Sequence, residues 1–482
     1  MKLALERGLL MPSCEIYPDA TAGFWDYGPH GNTMKNRYVD LWRRELVRRD
    51  GMVEIDGAQI MSRKVFLASG HLESFVDPIV NCEKCGAVHR ADRLLQEATG
   101  VLVPERLDVE QIERMLVERD VRCPNCKGKL GKVRRFNLMF RVGIGASDED
   151  CYLRPETCQS IFVDFSRLFK VMRLKLPIGI AQYGKSFRNE IAPRQGLIRL
   201  REFYQCEIEV FFNPAKANDF PKYEEIKNER LNLVIDGVSR QEVRCEEALQ
   251  ERYIPSRFIA YYLALVQQFY EHAGIDSKKM RFRTLGGQEK AFYADAAYDF
   301  EVETSLGWIE LVASNYRTSY DLAAHAKVSG QDLTVMDGDQ KVIPHVFELS
   351  MGVDRSLYCL LEHAYLEEPE RRILRLKPYL APVAMGVLPL VAKDGLPEVA
   401  RTIHSQLKKW YDAFYDEGGS IGRRYRRLDE IGCPACVTVD YQTLQDRTVT
   451  LRDRDTMKQI RIEQDQVPLY LERMARGEAV FT

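Results

Sequence analysis

Between Met34 and Arg49 each of the apolar residues Met34, Tyr38, Leu41, Trp42 and Leu46 has another of the set three or four positions away, with arginines and a glutamate between them. That spacing predicts one amphipathic helix with a single buried stripe. Gly51 stops it, and Met52-Val53-Glu54-Ile55 reads as a short strand. A second helical run goes from Arg257 to His272 and ends at Gly274. Between the two helices the period changes. In Phe187-Arg188-Asn189-Glu190 the two charged residues stand two apart, which predicts a strand with Arg188 and Glu190 on one face. A loop follows, Ile191-Ala192-Pro193-Arg194-Gln195-Gly196, and a strand is expected to resume from Leu197 to Phe212.

The pattern also divides the chain. Prolines spaced through Lys377-Pro378-Tyr379-Leu380-Ala381-Pro382 mark a boundary, giving domains of residues 1–376 and 377–482. Beyond it, expected strands (Ala384 to Leu390, Ala435 to Val439, Thr448 to Leu451) alternate with expected helices (Leu396 to Trp410, Gln466 to Arg476). This reads as a small α/β unit. Two stretches interrupt the larger domain and read as insertions. One covers about residues 81–134 and contains a capping-box signature, Asp108-x-x-Gln111. The other covers about residues 214–290 and reads as helical.

Composition adds limits more than detail. The 482 residues suffice for two or three domains, and a net charge of −2 announces no nucleic-acid partner, so any basic surface must be local. No apolar run approaches the roughly 20 residues of a membrane span. Glu6 and Arg7 interrupt the one apolar stretch near the N-terminus, against a signal peptide. Twelve cysteines include the pairs Cys82-x-x-Cys85 and Cys123-x-x-Cys126. Four sulfurs at that paired spacing point to a closed, tetrahedral structural zinc ribbon. Cys433-x-x-Cys436 has no partner pair and reads as core. These features imply a reducing, cytoplasmic compartment.

The charged string RNEIAPRQGLIRLREF, from Arg188 to Phe203, resembles motif 2 of the class II aminoacyl-tRNA synthetases, in the long form of the glycyl-tRNA synthetase family. Further landmarks follow in family order: Gly23-Phe24-Trp25-Asp26-Tyr27-Gly28-Pro29, Ser69-Gly70-His71, Tyr152 to Thr157, Tyr320-Asp321-Leu322, and Glu348 to Arg355. The resemblance implies an α+β fold: an antiparallel catalytic sheet with helices, a C-terminal anticodon-binding domain, and the zinc-ribbon insertion. It implies ATP, Mg2+, glycine and tRNA(Gly) as partners. It also implies a homodimer built on the helix after Met34.

The resemblance carries residue roles with it. Arg188 would meet the α-phosphate, where a planar fork of donors suits phosphate oxygens. Glu190 would meet the adenine amino group, Phe203 would stack on the ring, and Arg199 would reach the distal phosphates. Arg355 would close the other adenine face. Asn189, Ile198, Leu311 and Gly352 complete the expected ATP set, and Glu310 would face magnesium. Asp354 departs from the commoner Gly-x-Gly-Arg form of the third motif. For glycine, the implied set is Glu156, Glu207, Glu348 and Ser350, with Arg90 facing the substrate carboxylate and Arg317 in support. Several carboxylates around one small cavity suit a cationic ammonium. Arg423, Arg424, Arg426 and Arg427, with Arg452, Arg454, Lys458 and Arg461, make two basic clusters that the resemblance assigns to tRNA.

Two other readings compete. One is a non-catalytic binding module of the same fold, like the accessory subunit of mitochondrial DNA polymerase. The other is a sister synthetase for proline, serine or threonine. Retention of the ATP set argues against the first, and the acid-rich pocket against the second.

Overall fold

The computed structural model describes every residue except 101–107, 194, 195, 287–293, 479 and 482. Arg194 and Gln195 of the motif 2 loop therefore lie outside the described residues, as does the end of the second expected insertion. The frame is a nine-stranded sheet. Its strands are β1 (Val53–Ile55), β2 (Ile178–Phe187), β3 (Glu202–Phe212), β4 (Arg230–Ile235), β5 (Val238–Arg244), β6 (Met280–Thr284), β7 (Ala296–Thr304), β8 (Gly307–Thr318) and β9 (His345–Gly352). The order is β5-β4-β6-β7-β8-β9-β3-β2-β1. The run from β6 to β2 is antiparallel throughout, and β1 and the β4–β6 pair are parallel.

Strand alternation sorts the two faces. In β3 the even residues Cys206, Ile208, Val210 and Phe212 join the main core, with Phe347, Leu349 and Met351 of β9. Helices α1 (Pro29–Trp42), α3 (Arg257–Ala273) and α4 (Val353–Ala364) supply residues to the same core. The hydroxyls of Tyr38, Tyr270 and Ser356 join the three helices, at 3.2 and 2.7 Å. The opposite face carries Gln205, Glu207 and Glu209. Helix α2 (Cys158–Val171) closes its far end, where Phe165 stacks on Phe211 with ring centres 4.1 Å apart. Met34, Tyr38, Leu41, Trp42 and Leu46 are all buried, as their spacing predicted. The helix runs on as a π turn to Arg48.

Two expectations need correction. Residues 214–290 are more than a helical insertion. Their strands β4, β5 and β6 extend the sheet, and α3 is buried on nearly all sides within the main core. A helix so apolar all round cannot stand apart from the domain. The motif 2 segment is not strand throughout either. Strand β2 ends at Phe187, and β3 begins only at Glu202 after a short 3-10 turn, Gly196–Ile198. The cause is local: the Asn189 amide bonds the Leu138 carbonyl instead of a sheet neighbour, and Arg201 bonds the Gly23 carbonyl. Gly23 has φ +93°, and a Cβ there would stand 2.6 Å from Pro193, so only glycine lets these loops meet.

Residues 76–137 form the first interruption. Strands Val76–Cys82, Val88–Arg90 and Leu130–Asn137 make a three-stranded sheet under helices Ala91–Thr99 and Val109–Glu118. Asp108 and Gln111 form the expected capping box. The C-terminal unit has strands β10 (Met385–Pro389), β11 (Ala413–Tyr415), β12 (Ala435–Val439), β13 (Thr448–Asp453) and β14 (Gln459–Glu463), in the order β11-β10-β12-β13-β14. Helices α5 (Leu396–Leu407), α6 (Ile421–Asp429) and α7 (Val467–Ala475) accompany this sheet. Cys433 and Cys436 are buried in its core, as expected. No helix among the described residues is long and apolar enough to cross a membrane.

Candidate active site

The cleft face of the sheet is a grid. Across β3, β9 and β8 one row holds Glu209, Glu348 and Asn315, and the next holds Glu207, Ser350 and Ala313. Gln205 then stands opposite Gly352. A cleft of about 240 Å³ opens over this face. Its lining includes Glu156, Glu348 and Ser350 at one end and Arg188, Phe203, Glu310 and Arg355 at the other. Glu190, Ile198, Arg199, Leu311 and Gly352 border it as well. Sequence-predicted residues from four separate stretches thus converge on one site.

At the arginine end, the Arg188 Nε donates to the Pro155 carbonyl at 3.1 Å. Its guanidinium lies between the rings of Phe75 and Phe203, 5.3 Å from each centre. It forms no ion pair among the described residues, so its outer donors are left for a ligand. Arg154, almost fully buried, bonds the carbonyls of Lys185 and Gly57 at 2.8 and 2.9 Å and so holds the backbone leading to Pro155. Arg355 donates to the carbonyls of Ile198 and Glu310, both at 3.1 Å, and meets the Glu310 carboxylate at 3.3 Å. Glu190 and Arg199, assigned to separate ends of a nucleotide, pair with each other at 2.6 Å. Asn189 contributes its amide to the loop and does not line the cleft.

Asp354 earns its place. Its carboxylate accepts from the Tyr27 hydroxyl at 2.6 Å and the Tyr204 amide at 2.5 Å. It therefore ties the third motif to the N-terminal segment, and burial pushes it up to about 6. Gly352 has ordinary extended angles (φ −77°, ψ 109°), so conformational freedom is not what it supplies. A Cβ would approach Leu311 and Arg355 only to 3.8–3.9 Å, which leaves the cleft side free.

At the acid end, Glu207 is fully buried and accepts from Thr157 at 2.5 Å and Ser350 at 2.6 Å. Arg317, also buried, binds Asp321 through two nitrogens at 2.7 and 2.8 Å and Glu348 at 3.1 Å. Its support of the pocket is thus direct. Asn315 holds the other Glu348 oxygen at 2.7 Å. The acids differ in charge state. Burial raises Glu348 to about 7, with Arg317 opposing and Glu207 and Glu156 adding to the rise. Glu207 is raised by burial and by Glu156. Burial also works against Glu156, but His71 at 3.3 Å and Arg317 outweigh it and hold that carboxyl well below its usual range. Arg90 is not among the cleft-lining residues. Asp77 and Asp92 clamp it at 3.1 Å, near enough for the Glu190 charge to act on it.

Sequence reasoning gave no role to His71, Thr157, Asn315, Phe75 or Glu209. Glu209 carried a signal, because it stands two residues from Glu207 on the same strand face. His71 and Thr157 lay inside family landmarks without a role of their own, and Asn315 and Phe75 left no signal.

The four ribbon cysteines bring their sulfurs within 4.8 Å of one another. Cys82 to Cys126 is 3.5 Å and Cys85 to Cys123 is 3.8 Å. Tetrahedral Zn–S bonds of about 2.3 Å require sulfur separations of about 3.8 Å, so the set fits zinc. His89 Nε2 lies 3.4 Å from the Cys123 sulfur, beside the quartet. Glu310 is a single half-exposed carboxylate at the arginine end. This suits Mg2+, which takes one or two carboxylates and completes its shell with phosphates and water.

The basic clusters of the C-terminal unit are mostly structural. Arg424 is buried against the Pro389 and Gly419 carbonyls. Arg452 pairs with Asp429 at 2.9 and 3.1 Å, Arg461 with Asp440, Arg427 with Asp416, and Arg454 with Asp455. Arg423, Arg426 and Lys458 are exposed.

Comparison with known proteins identifies the two domains and the family. The model of the tRNA synthetase class II core domain (G, H, P, S and T) matches residues 140–364, and that of the anticodon binding domain matches residues 384–474. The chain is 40% identical to the glycine–tRNA ligase of Thermococcus gammatolerans, over 99% of this chain and 98% of that one. It is 40% identical to that of Methanothrix thermoacetophila (100% and 97%) and 39% identical to that of Methanocaldococcus jannaschii (98% and 97%). A crystal structure titled as the RNA binding domain of threonyl-tRNA synthetase from Cryptosporidium parvum shares the fold. Its TM-score is 0.60 at 18% identity, over 98% of this chain and 97% of that one. With the class II core, the anticodon-binding unit and relatives at this identity over their full length, the chain belongs to the glycine–tRNA ligase family.

Proposed function

We infer that the chain joins glycine to the 3′ end of tRNA(Gly) in two steps: glycine and ATP give glycyl-adenylate and pyrophosphate, and the terminal adenosine of the tRNA then takes the acyl group. One observation carries the reading. A single cleft is lined by Arg188, which has no ion pair among the described residues, at one end and by Glu156, Glu348 and Ser350 at the other. An α-phosphate at one end and an α-ammonium at the other lie within one cleft, as an in-line attack requires.

Arg188 neutralises charge at the α-phosphorus, with Phe75 and Phe203 holding its plane. Arg355 steadies the nucleotide from the third motif. Glu190, Arg199, Phe203, Ile198 and Leu311 shape the remainder of the ATP site. When bound, Mg2+ at Glu310 would lower the charge of the pyrophosphate leaving group. Glu156, Glu207 and Glu348 attract the ammonium, and Ser350 fixes Glu207. The pocket selects glycine by exclusion, because charged groups crowd the space a side chain would enter.

The finer assignments belong to this proposal: a homodimer through α1 and β1, a cytoplasmic location, and zinc in the ribbon. The decisive experiment is amino-acid-dependent ATP–pyrophosphate exchange across all twenty amino acids. Glycine alone should support exchange, whereas exchange with another amino acid would overturn the substrate. For the ribbon, Cys82→Ser should remove the zinc that the native chain carries in elemental analysis. Equal metal content in both proteins would dismiss the site.

A further inference from the structure

A fourth glutamate stands beside the acids assigned to glycine and has no task in the reaction described. Glu209 is fully buried, and neither of its carboxyl oxygens has a hydrogen-bond partner among the described residues. It shares the cleft face of β3 with Glu207 and stands directly across from Glu348. Cys158, at the start of α2, places its sulfur within 4.8 Å of a carboxyl oxygen of each. That trio does not read as a metal site, since burial and then Glu156 push the Cys158 thiol well above its usual range and so away from a thiolate.

An anionic Glu209 would lose its hydration and gain nothing. The cost of an uncompensated buried charge is several kcal/mol, far more than that of a neutral carboxyl. Arg317, a buried cation close enough to act on Glu209, is already engaged by both oxygens of Asp321 and one of Glu348. The charges acting on Glu209 are those of Glu348, Glu207, Arg317 and Asp321, so acids outnumber the one cation.

We propose that Glu209 is a positioning residue that carries a proton: it stands behind Glu348 as a neutral acid, so the pocket holds one negative charge fewer than its glutamates suggest. The proposal rests on the glycine-activating reading of the site. A neutral acid offers an O–H toward Glu348 across the strand pair. Such a donor favours the anionic form of Glu348, which a substrate ammonium needs. A second anion in its place would keep Glu348 protonated.

The test compares the native chain with Glu209→Gln and Glu209→Ala. Glutamine keeps the volume, the neutrality and a donor, so glycine-dependent exchange should stay within about threefold of native. Alanine removes the donor. It should raise KM for glycine about tenfold with KM for ATP little changed, and move the pH dependence of glycine KM upward. In infrared difference spectra at neutral pH, native minus Glu209→Gln should show the carbonyl stretch of a protonated carboxyl. A carboxylate signal there would overturn the proposal, as would a glutamine variant as impaired as alanine. Two variants that both match the native chain would also overturn it. If Glu209→Ala does not fold, the glutamine variant and the spectra still decide. Failure of the native chain to activate glycine would defeat the underlying reading, while the spectra would still report the charge of Glu209.

Discussion

Arginines are treated in opposite ways at the two ends of this molecule. In the cleft, Arg188 is anchored through one nitrogen to a carbonyl and held flat between two rings, with no acid on its guanidinium among the described residues. In the C-terminal unit, Arg452 is buried and locked to Asp429 through two hydrogen bonds, and Arg371 joins the same acid at 3.2 Å. The first arrangement leaves charge for a ligand. The second consumes it within the protein. A basic residue announces a binding site only when its neighbours leave it unneutralised, and a run of arginines in a sequence does not show its neighbours.

Exchanging the two roles is the strongest way to break this contrast. Arg188→Ala should lower glycine-dependent exchange by about a thousandfold, the scale of a lost transition-state donor, with the unfolding midpoint unmoved. Arg452→Ala should do the reverse. It strands Asp429 beside Arg371 alone and should cost about 3–5 kcal/mol in unfolding of the C-terminal unit, with glycine activation retained. An inactive but stable Arg452 variant would show that the contrast is misplaced.

The acid end predicts a pH effect of middle size. Glu348 rises from 4.5 to about 7. Its native form holds the proton to higher pH than the unfolded chain, so the stability it contributes is present in acid and is lost as pH rises across that window. Glycine binding has the opposite sign, because the ammonium needs the anion. KM for glycine should fall about tenfold from about pH 6 to 8, and Glu348→Gln should flatten that slope. The smallest effect sharpens the contrast inside the C-terminal unit. Arg423→Ala with Arg426→Ala, both exposed, should raise KM for tRNA by about threefold and reduce its salt dependence. Arg424→Ala should act through stability instead.

The periodic parts of the fold were legible. The stripe from Met34 to Leu46, the Gly274 stop, the capping box at Asp108 and the α/β alternation after residue 384 stand as their spacing indicated. The motif residues Arg188, Phe203, Glu348 and Arg355 also converge. What the sequence did not disclose depends on distant neighbours. The 214–290 segment read as a helical insertion, yet its helix is apolar on nearly every side, and that property requires burial in the main core. The pairing of Glu190 with Arg199 and the clamping of Arg90 by two aspartates are three-dimensional facts. So is the bond from Asp354 to Tyr27, which shows why an acid stands where a glycine is commoner. Which arginines of the basic clusters stay open to a partner was not legible either, because counter-ions such as Asp429 for Arg452 and Glu370 for Arg426 lie 23 and 56 residues away.

The sheet grid has a consequence for how such a pocket can change over generations. Glu207 and Glu209 face the cleft only because each lies an even number of residues from Gln205, and the residues between them belong to the core. A one-residue deletion or insertion in β3 that is not absorbed as a bulge would turn the strand beyond it over, carrying its acids into the apolar layer and its core side chains into the cleft. Lengthening or shortening that strand is therefore closed as a path. Descent can rewrite this pocket one letter at a time, while length variation is confined to loops such as the one between Phe187 and Glu202.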